Sequence, residues 1–119
     1  MAQHNKKGKL GEDLALDYLI SSGFEIMATN FRHGKAEIDI IYKEHDVLVF
    51  VEVKTRTTNK YGAPEVAIND KKQRLISSAA SAYMEQINYS WKIRFDVISI
   101  IAESSDRFNL EHFRDAFYW

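Results

Sequence analysis

The alternation of hydrophobic and polar residues along the chain predicts two helices and four strands. From residue 9 to residue 22 apolar residues recur at helical spacing, and Ser22-Gly23 is suited to end that helix. A second helix is predicted over about 71–87, where alanines are frequent and Asn69 or Asp70 can cap the first turn. The predicted strands cover residues 24–31, 38–42, 47–55 and 93–101.

The order of these elements predicts the topology. Three consecutive strands, with the short polar turn Glu44-His45-Asp46 between the second and third, indicate an antiparallel meander. The second helix then allows the fourth strand to join the sheet by a crossover. From Leu110 onward the pattern fits either a short strand or a helical turn. The predicted fold class is α/β, a mixed sheet flanked by helices in the order αβββαβ, in one domain covering residues 1–119.

The amino-acid composition indicates the cellular compartment in which the protein is expected. The chain has no cysteine, so it depends on neither disulfides nor thiolate zinc sites, which is compatible with a reducing cytoplasm. The start of the chain is polar, without the pattern of a secretory signal, and the longest apolar run, 47–51, is too short to span a bilayer. We therefore expect a soluble, cytoplasmic protein that does not enter a membrane.

The net charge of the chain is −1, which argues against a protein that binds nucleic acid by charge alone. The basic residues are nonetheless concentrated in two regions of the sequence. Residues 1–8 are expected to form a flexible basic arm, followed by Lys9, and for the N-terminal lysines alone an ordinary solvated surface is the favoured interpretation. A second group of basic residues lies between Lys54 and Arg74.

The hairpin formed by the second and third strands carries the candidate chemistry. A turn centred between His45 and Asp46 places Asp39 directly opposite Glu52 on one face, with Lys54 beside Glu52. Facing carboxylates repel each other, whereas a divalent cation between them removes that cost. Oxygen ligands suit Mg²⁺ or Mn²⁺ better than Zn²⁺. The alternative is an accidental pairing on a solvated face, and the residues alone favour neither interpretation.

Each predicted helix carries one charged residue within its apolar arc. Glu12 lies between Leu16 and Leu19 on the helical wheel, so it requires a cationic or metal-bound partner unless it reaches solvent near the helix start. Lys72 falls within the apolar arc of the second helix. It either extends over the sheet edge towards a phosphate or only keeps its ammonium group in solvent. The sequence does not distinguish Lys71 from Lys72 as the residue that would contact a phosphate.

Asp39 followed by Glu52-Val53-Lys54 at the end of an apolar strand resembles the PD-(D/E)XK nuclease superfamily, which has a restriction-endonuclease-like αβββαβ core. Further motifs resemble the YraN-like family of uncharacterised bacterial proteins, over about residues 8–117. These motifs are Glu37-Ile38-Asp39-Ile40-Ile41, Val49-Phe50-Val51-Glu52-Val53-Lys54-Thr55-Arg56, Tyr61-Gly62, Arg94-Phe95-Asp96-Val97 and Asp115-Ala116-Phe117. One departure is Ala36, where the family usually has glycine.

The resemblance implies roles for particular residues. Asp39, Glu52 and the Val53 carbonyl would bind Mg²⁺ or Mn²⁺, with Glu12 as a further ligand, directly or through water. Lys54 would position the attacking water. The residues assigned to phosphate contact are Arg56, Lys72, Lys71, Arg32 and Lys9.

Two functions remain open at this point. The first is a magnesium-dependent endonuclease that cuts DNA, with branched or nicked DNA as candidates. The second is a nucleic-acid-binding module without turnover. DNA is favoured over RNA because the scattered Tyr42, Tyr61, Tyr83 and Trp91 are interpreted mostly as core. The aromatic C-terminus could form a homodimer interface or fold back on the sheet, and folding back is favoured.

Overall fold

The computed structural model describes residues 6–56, 69–104 and 106–117, with side chains from residue 10 onward. Its elements are α1 (Lys6–Ser21), β1 (Glu25–His33), β2 (Ala36–Glu44), β3 (Val47–Arg56), α2 (Asp70–Gln86), β4 (Ile93–Ser104) and β5 (Arg107–Phe113). The predicted αβββαβ order and the α/β class are confirmed, and the ambiguous tail is a fifth strand. No helix in these ranges has both the length and the apolar character needed to cross a membrane.

The five strands form one mixed sheet in the order β1-β2-β3-β4-β5. Strands β1 to β3 are the predicted antiparallel meander, and Ile41 pairs with Phe50 in the register expected from the turn. Strand β4 then lies parallel to β3, because the connection through α2 returns the chain to the same end of the sheet. Strand β5 is antiparallel to β4. The amino-terminal half of β3 therefore lies between β2 and β4, whereas its carboxyl-terminal half, from Glu52 onward, continues to pair with β4.

The helix ends follow local chemistry. Gly23 has φ +90°, a conformation that glycine adopts without steric cost, and its N–H donates to the Ile20 carbonyl at 3.0 Å. Asn69 is the N-cap of α2, and its side-chain oxygen accepts from the Lys72 N–H at 2.8 Å. Helix α1 begins at Lys6, three residues before the predicted start, so residues 6–8 of the expected basic arm are helical.

One helix covers each face of the sheet. Beneath α2 lies an apolar cluster that includes Ile41, Phe50 and Tyr83, and beneath α1 lies a second cluster that includes Tyr42 and Val51. Ile38 belongs to the α2 cluster, although simple alternation from Ile40 predicted the α1 side. The strand alternation is therefore interrupted at Asp39.

A buried polar network joins α1 to the last two strands. Asp96 is fully buried, and its carboxylate accepts two hydrogen bonds from Arg94, at 2.8 and 2.9 Å, and one from the Asp115 N–H at 3.0 Å. His112 Nε2 lies 2.7 Å from the same carboxylate, and His112 Nδ1 lies 2.8 Å from the Tyr18 hydroxyl. Burial alone would raise the pKa of Asp96, but these contacts lower it to about 2. The network holds α1, β4 and β5 in one arrangement.

The C-terminal segment folds back onto the sheet up to residue 117. Phe117 is buried, and its ring stacks on Phe95 with centroids 4.8 Å apart. The Ala116 N–H donates to the Phe95 carbonyl at 2.7 Å. This agrees with the favoured expectation for the aromatic end, while Tyr118 and Trp119 lie outside the described residues.

Candidate active site

Asp39 and Glu52 lie side by side where β2 and β3 separate. The ladder between these strands reaches Ile40 and Val51, and the next residues outward are Asp39 and Glu52. There the Asp39 carboxylate, instead of a backbone carbonyl group of β2, accepts a hydrogen bond from the Val53 N–H at 2.7 Å. This contact ties the β2 carboxylate to the backbone of β3 beside Glu52.

The environment disfavours two negative charges at this point. Burial raises the pKa of Asp39 to about 8, and the neighbouring carboxylates of Glu52, Glu12 and Glu37 add to the rise, while the Val53 N–H opposes it. Burial also raises the pKa of Glu52, although Lys72 and Lys54 counteract this. The pair is therefore short of positive charge.

Glu12 reaches the same region from α1. The Asn30 amide donates to Glu12 Oε1 and to Glu37 Oε2, both at 3.1 Å, and so joins two carboxylates. Because α1 begins at Lys6, Glu12 lies well beyond its first turn, and an interaction with the helix N-terminus does not explain its position. The hydrogen bond from the Asn30 amide does explain it.

Gly11 allows α1 to approach β3 closely enough to place Glu12. A Cβ atom added at Gly11 would lie 1.9 Å from Thr55 Oγ1, 3.0 Å from Thr55 Cβ and 3.2 Å from Thr55 Cγ2. Rotation of the threonine side chain moves Oγ1 but leaves its Cβ at 3.0 Å, so a larger residue at Gly11 requires α1 or β3 to shift. The residue before Glu12 thus sets the distance between the helix and the active-site strand.

The carboxylates open onto a cavity of about 220 Å³ between the sheet and the start of α2. Its lining residues are Lys35, Ala36, Glu37, Asp39, Glu52, Lys72, Leu75 and Ile76. Acidic groups lie on its sheet side and apolar groups on its helix side. A small polar ligand can therefore reach Asp39 and Glu52 from this cavity.

Two lysines accompany Glu52. Lys54 follows it on β3 and pairs in register with Ser99 of β4, and its charge favours the ionised form of Glu52. Lys72 reaches across from α2, with its ammonium nitrogen 3.1 Å from Glu52 Oε2. Lys72 thus forms an ion pair with a carboxylate of the protein, and its predicted contact with a phosphate stays a prediction.

The donor set fits a hard divalent cation. Within the described ranges, no three Asp, Glu or His side chains already converge on one metal position. The contacts above account for this, because Glu52 is directed to Lys72 and Asp39 to the Val53 N–H. The available donors are nonetheless all oxygen, and the raised pKa of Asp39 indicates an unmet demand for positive charge. Asp39, Glu52, the Val53 carbonyl and Glu12 are the groups that could hold the cation.

The other basic residues assigned to phosphate contact do not line the cavity, as far as the structure describes their side chains. Arg32 is exposed and lies 3.5 Å from Glu37, and Lys71 is exposed in the first turn of α2. Arg56 ends β3 with its Nη2 buried and without a hydrogen-bond partner among the described residues. Lys9 lies in α1, but its side chain falls outside the described part of the structure.

Sequence reasoning missed two members of the site and misplaced one aromatic residue. From the sequence, Glu37 is only part of a family motif, without a role of its own. Its position two residues before Asp39 on β2 would have predicted that the two side chains lie on the same face. Asn30 gave no signal, because its role depends on a φ of +50° and on the meeting of β1 with α1. Trp91 was interpreted as core, yet its side chain is 62% exposed beside the β2–β3 turn, where it donates to Asp46.

Comparison with known proteins shows close relatives over the whole fold. Residues 11–100 match the sequence profile described as "Uncharacterised protein family UPF0102". A UPF0102 protein of Flavobacterium psychrophilum is 42% identical over 118 residues, which cover 99% of this chain and 98% of the relative. Another, of Phocaeicola vulgatus, is 41% identical, with coverages of 99% and 97%. One from Thermodesulfovibrio yellowstonii is 40% identical over 111 residues, with coverages of 93% and 95%.

Proposed function

Since the chain belongs to the uncharacterised UPF0102 family, we propose its function from the site itself, as a divalent-metal-dependent nuclease that hydrolyses phosphodiester bonds in DNA. The observation that carries the proposal is the partly buried pair Asp39 and Glu52, with the pKa of Asp39 raised to about 8 and Lys54 two residues beyond Glu52 on β3. Such a pair destabilises the fold unless a cation neutralises it, which is typical of a functional site.

The cation would be held by Asp39, Glu52 and the Val53 carbonyl, with Glu12 as a further oxygen donor. Mg²⁺ or Mn²⁺ at this position polarises a phosphoryl oxygen and lowers the pKa of water. Asn30 holds the Glu12 carboxylate in the direction of the site through its hydrogen bonds to Glu12 and Glu37. Each donor is thus attached to a rigid element, which favours a defined geometry.

In this proposal Lys54 is the catalytic lysine. It lies on β3 two residues beyond Glu52, where its ammonium group can orient a water molecule and balance the negative charge that grows on the phosphate. Hydrolysis adds that water across one P–O bond and releases a phosphate monoester and a hydroxyl group. Lys71, Arg32, Arg56 and Lys9 supply contacts to neighbouring phosphates in this proposal.

The proposal favours DNA over RNA. Sequence-specific RNA recognition commonly stacks unpaired bases on exposed aromatic rings. Tyr42 and Tyr83 are buried, and the exposed Trp91 lies near the β2–β3 turn, several residues along both strands from Asp39 and Glu52. The described surface around the carboxylates offers charge and hydrogen-bond donors instead.

The direct test is cleavage by the purified full-length chain. Branched, nicked and single-stranded DNA, together with RNA of matched sequence, are incubated with Mg²⁺ or Mn²⁺ and with EDTA. We expect metal-dependent cleavage of DNA that falls at least about 100-fold in Asp39→Asn and in Lys54→Met, because each change removes an interaction needed in the transition state. Asp13→Asn, which alters an exposed carboxylate of α1, serves as the matched control.

Absence of cleavage by folded protein that binds metal would contradict the enzyme proposal. A second function, nucleic-acid binding without turnover, is favoured by the near-zero net charge and by the Lys72–Glu52 ion pair, which gives Glu52 a counterion without a metal. It predicts DNA binding that weakens with salt and is unchanged in Asp39→Asn. The same variant therefore separates the two functions.

A further inference from the structure

The contact between Lys72 and Glu52 places one cation directly on a candidate metal ligand. The ammonium nitrogen of Lys72 lies 3.1 Å from Glu52 Oε2, and the Glu52 side chain is only 13% exposed. Lys72 itself is 47% exposed, so its long side chain has solvent on one side. A nearly buried carboxylate is thus paired with a cation that can leave.

We propose that Lys72 is the resident counterion of Glu52, that a divalent cation displaces it on binding, and that the displaced ammonium group then contacts a nucleic-acid phosphate. The inference rests on the proposed function, because it concerns the same metal site. It assigns to Lys72 a positioning and regulatory role that is separate from the role of Lys54.

Electrostatics requires the displacement. An ammonium group and a divalent cation on one carboxylate repel each other, and this repulsion is strong where water is scarce. Glu52 also cannot remain ionised without a partner in this buried position at low cost. The carboxylate therefore exchanges one cation for the other, and the two bound states exclude each other.

The fold indicates which cation moves. The backbone of Lys72 is held in the first turn of α2, because its N–H donates to the Asn69 side chain at 2.8 Å. Only its side chain, with several rotatable bonds, links that turn to Glu52. Glu52 pairs in register with Val97 of β4 and directly follows Val51, the last residue of β3 paired with β2, so its backbone does not shift by comparable distances. Release of Lys72 is therefore a side-chain rotation into the cavity that Lys35 and Lys72 both line.

Exchange of this kind couples metal binding to nucleic-acid binding. A metal ion frees the Lys72 ammonium for a phosphate, and a phosphate that holds the ammonium leaves Glu52 open to the metal. By thermodynamic linkage each ligand then raises the affinity of the protein for the other by the same factor. Without nucleic acid the ion pair keeps the site closed to weakly bound metal.

The test is Mn²⁺ binding to the full chain, measured by electron paramagnetic resonance and calorimetry without nucleic acid. We expect Lys72→Met to bind Mn²⁺ more tightly than wild type, by roughly 5-fold or more, because the competing cation is gone. Glu52→Gln should lose most of the affinity. Arg74→Met, which removes one positive charge from an exposed position on the same helix, should change the affinity less than about 2-fold.

Unchanged or weaker Mn²⁺ binding in Lys72→Met would overturn the proposal. If that variant is too unstable to measure, Lys72→Gln gives the same comparison with a polar side chain. A second readout is the gain in Mn²⁺ affinity on adding a phosphorothioate duplex that resists cleavage. The gain should be present in wild type and at least about 5-fold smaller in Lys72→Met; an equal gain in both would also overturn the proposal.

The outcomes separate this inference from the proposed function. If wild type cuts DNA but the lysine variant binds Mn²⁺ no more tightly, the counterion exchange is wrong and the nuclease stands. If the variant binds Mn²⁺ more tightly but wild type cuts nothing, the exchange stands and the nuclease is wrong.

Discussion

At the scale of single residues, the site is built from charges that the fold alone would not favour. Asp39 and Glu52 are close, largely buried and short of positive charge, and Glu12 and Glu37 add further negative potential. Ordinary cores avoid such groups because an ionised carboxylate loses its hydration there. In the proposed function a divalent cation offsets the stability that is lost at these residues.

Asp39→Asn should therefore stabilise the protein in EDTA. The change removes one of two repelling carboxylates and keeps a side-chain oxygen that can accept from the Val53 N–H. We expect a gain of about 1 kcal/mol, comparable with other substitutions that relieve strain at functional sites, and a rise in Tm of roughly 4 °C. Thermal unfolding checks this, with Asp13→Asn as a control expected to change stability by less than about 0.5 kcal/mol. A lower Tm for Asp39→Asn would contradict it.

At the scale of elements, the site depends on how α1 meets β3 and how α2 meets β2. The contact of Gly11 with Thr55 brings α1 down onto the sheet, and the Asn69 cap sets the first turn of α2 above the cavity. Each helix supplies one charged residue to the carboxylate pair, Glu12 from α1 and Lys72 from α2. The sheet provides the fixed groups, and the helices determine what approaches them.

Gly11→Ala should lower stability although alanine is the better helix former. The helix gains up to about 1 kcal/mol from propensity, but the new Cβ overlaps Thr55 and forces α1 away from β3, at a cost of about 1–3 kcal/mol. Because α1 carries Glu12, Mn²⁺ affinity should fall as well. Urea unfolding and Mn²⁺ titration measure the two effects. The double variant Gly11→Ala, Thr55→Ala should recover part of both, and no recovery would show that the contact with Thr55 is not the cause.

At the scale of the whole molecule, the Asp96 network joins elements that are distant in sequence. It connects α1 through Tyr18, β2 through Tyr42, and the C-terminal segment through His112 and Asp115. A chain of 119 residues has a limited core, so one saturated polar cluster contributes noticeably to a single native arrangement. The network is separate from the carboxylate pair and opens onto no part of the cavity described above.

Stability should fall on acidification in a defined range because of Asp96. Its pKa is held at about 2, below the ordinary aspartate value of 3.8, so the native state binds this proton less tightly than the unfolded state. The contribution is complete above about pH 4 and is lost as the pH falls through 2. Urea unfolding at several pH values measures it. Asp96→Asn should lose about 3–5 kcal/mol at neutral pH and show a flatter profile between pH 4 and 2.

If Asp96→Asn does not fold, Tyr42→Phe offers a milder change. It removes the 3.2 Å hydrogen bond from the Tyr42 hydroxyl to Asp96 and should cost about 1 kcal/mol. A variant as stable as wild type at neutral pH would show that the network contributes little.

The sequence by itself determined the elements of this protein and the register of its central hairpin. Both follow from local rules, since alternation over β2 and β3 and a short polar turn allow only one pairing that keeps both apolar faces buried. That register predicts Asp39 opposite Glu52, and the structure places both residues just beyond the last pair of the ladder, Ile40 and Val51. The αβββαβ order follows from the hydrophobic pattern of the separate segments.

The tertiary structure alone decided what meets the carboxylate pair. Asn30 joins Glu12 to Glu37 through two hydrogen bonds, and Lys72 forms an ion pair with Glu52. Trp91 is exposed, whereas the sequence pattern indicates a core position. These facts depend on contacts between elements far apart along the chain, on a left-handed residue in β1 and on the close approach at Gly11. No local period encodes such distances, because they are set by the packing of both helices on the finished sheet.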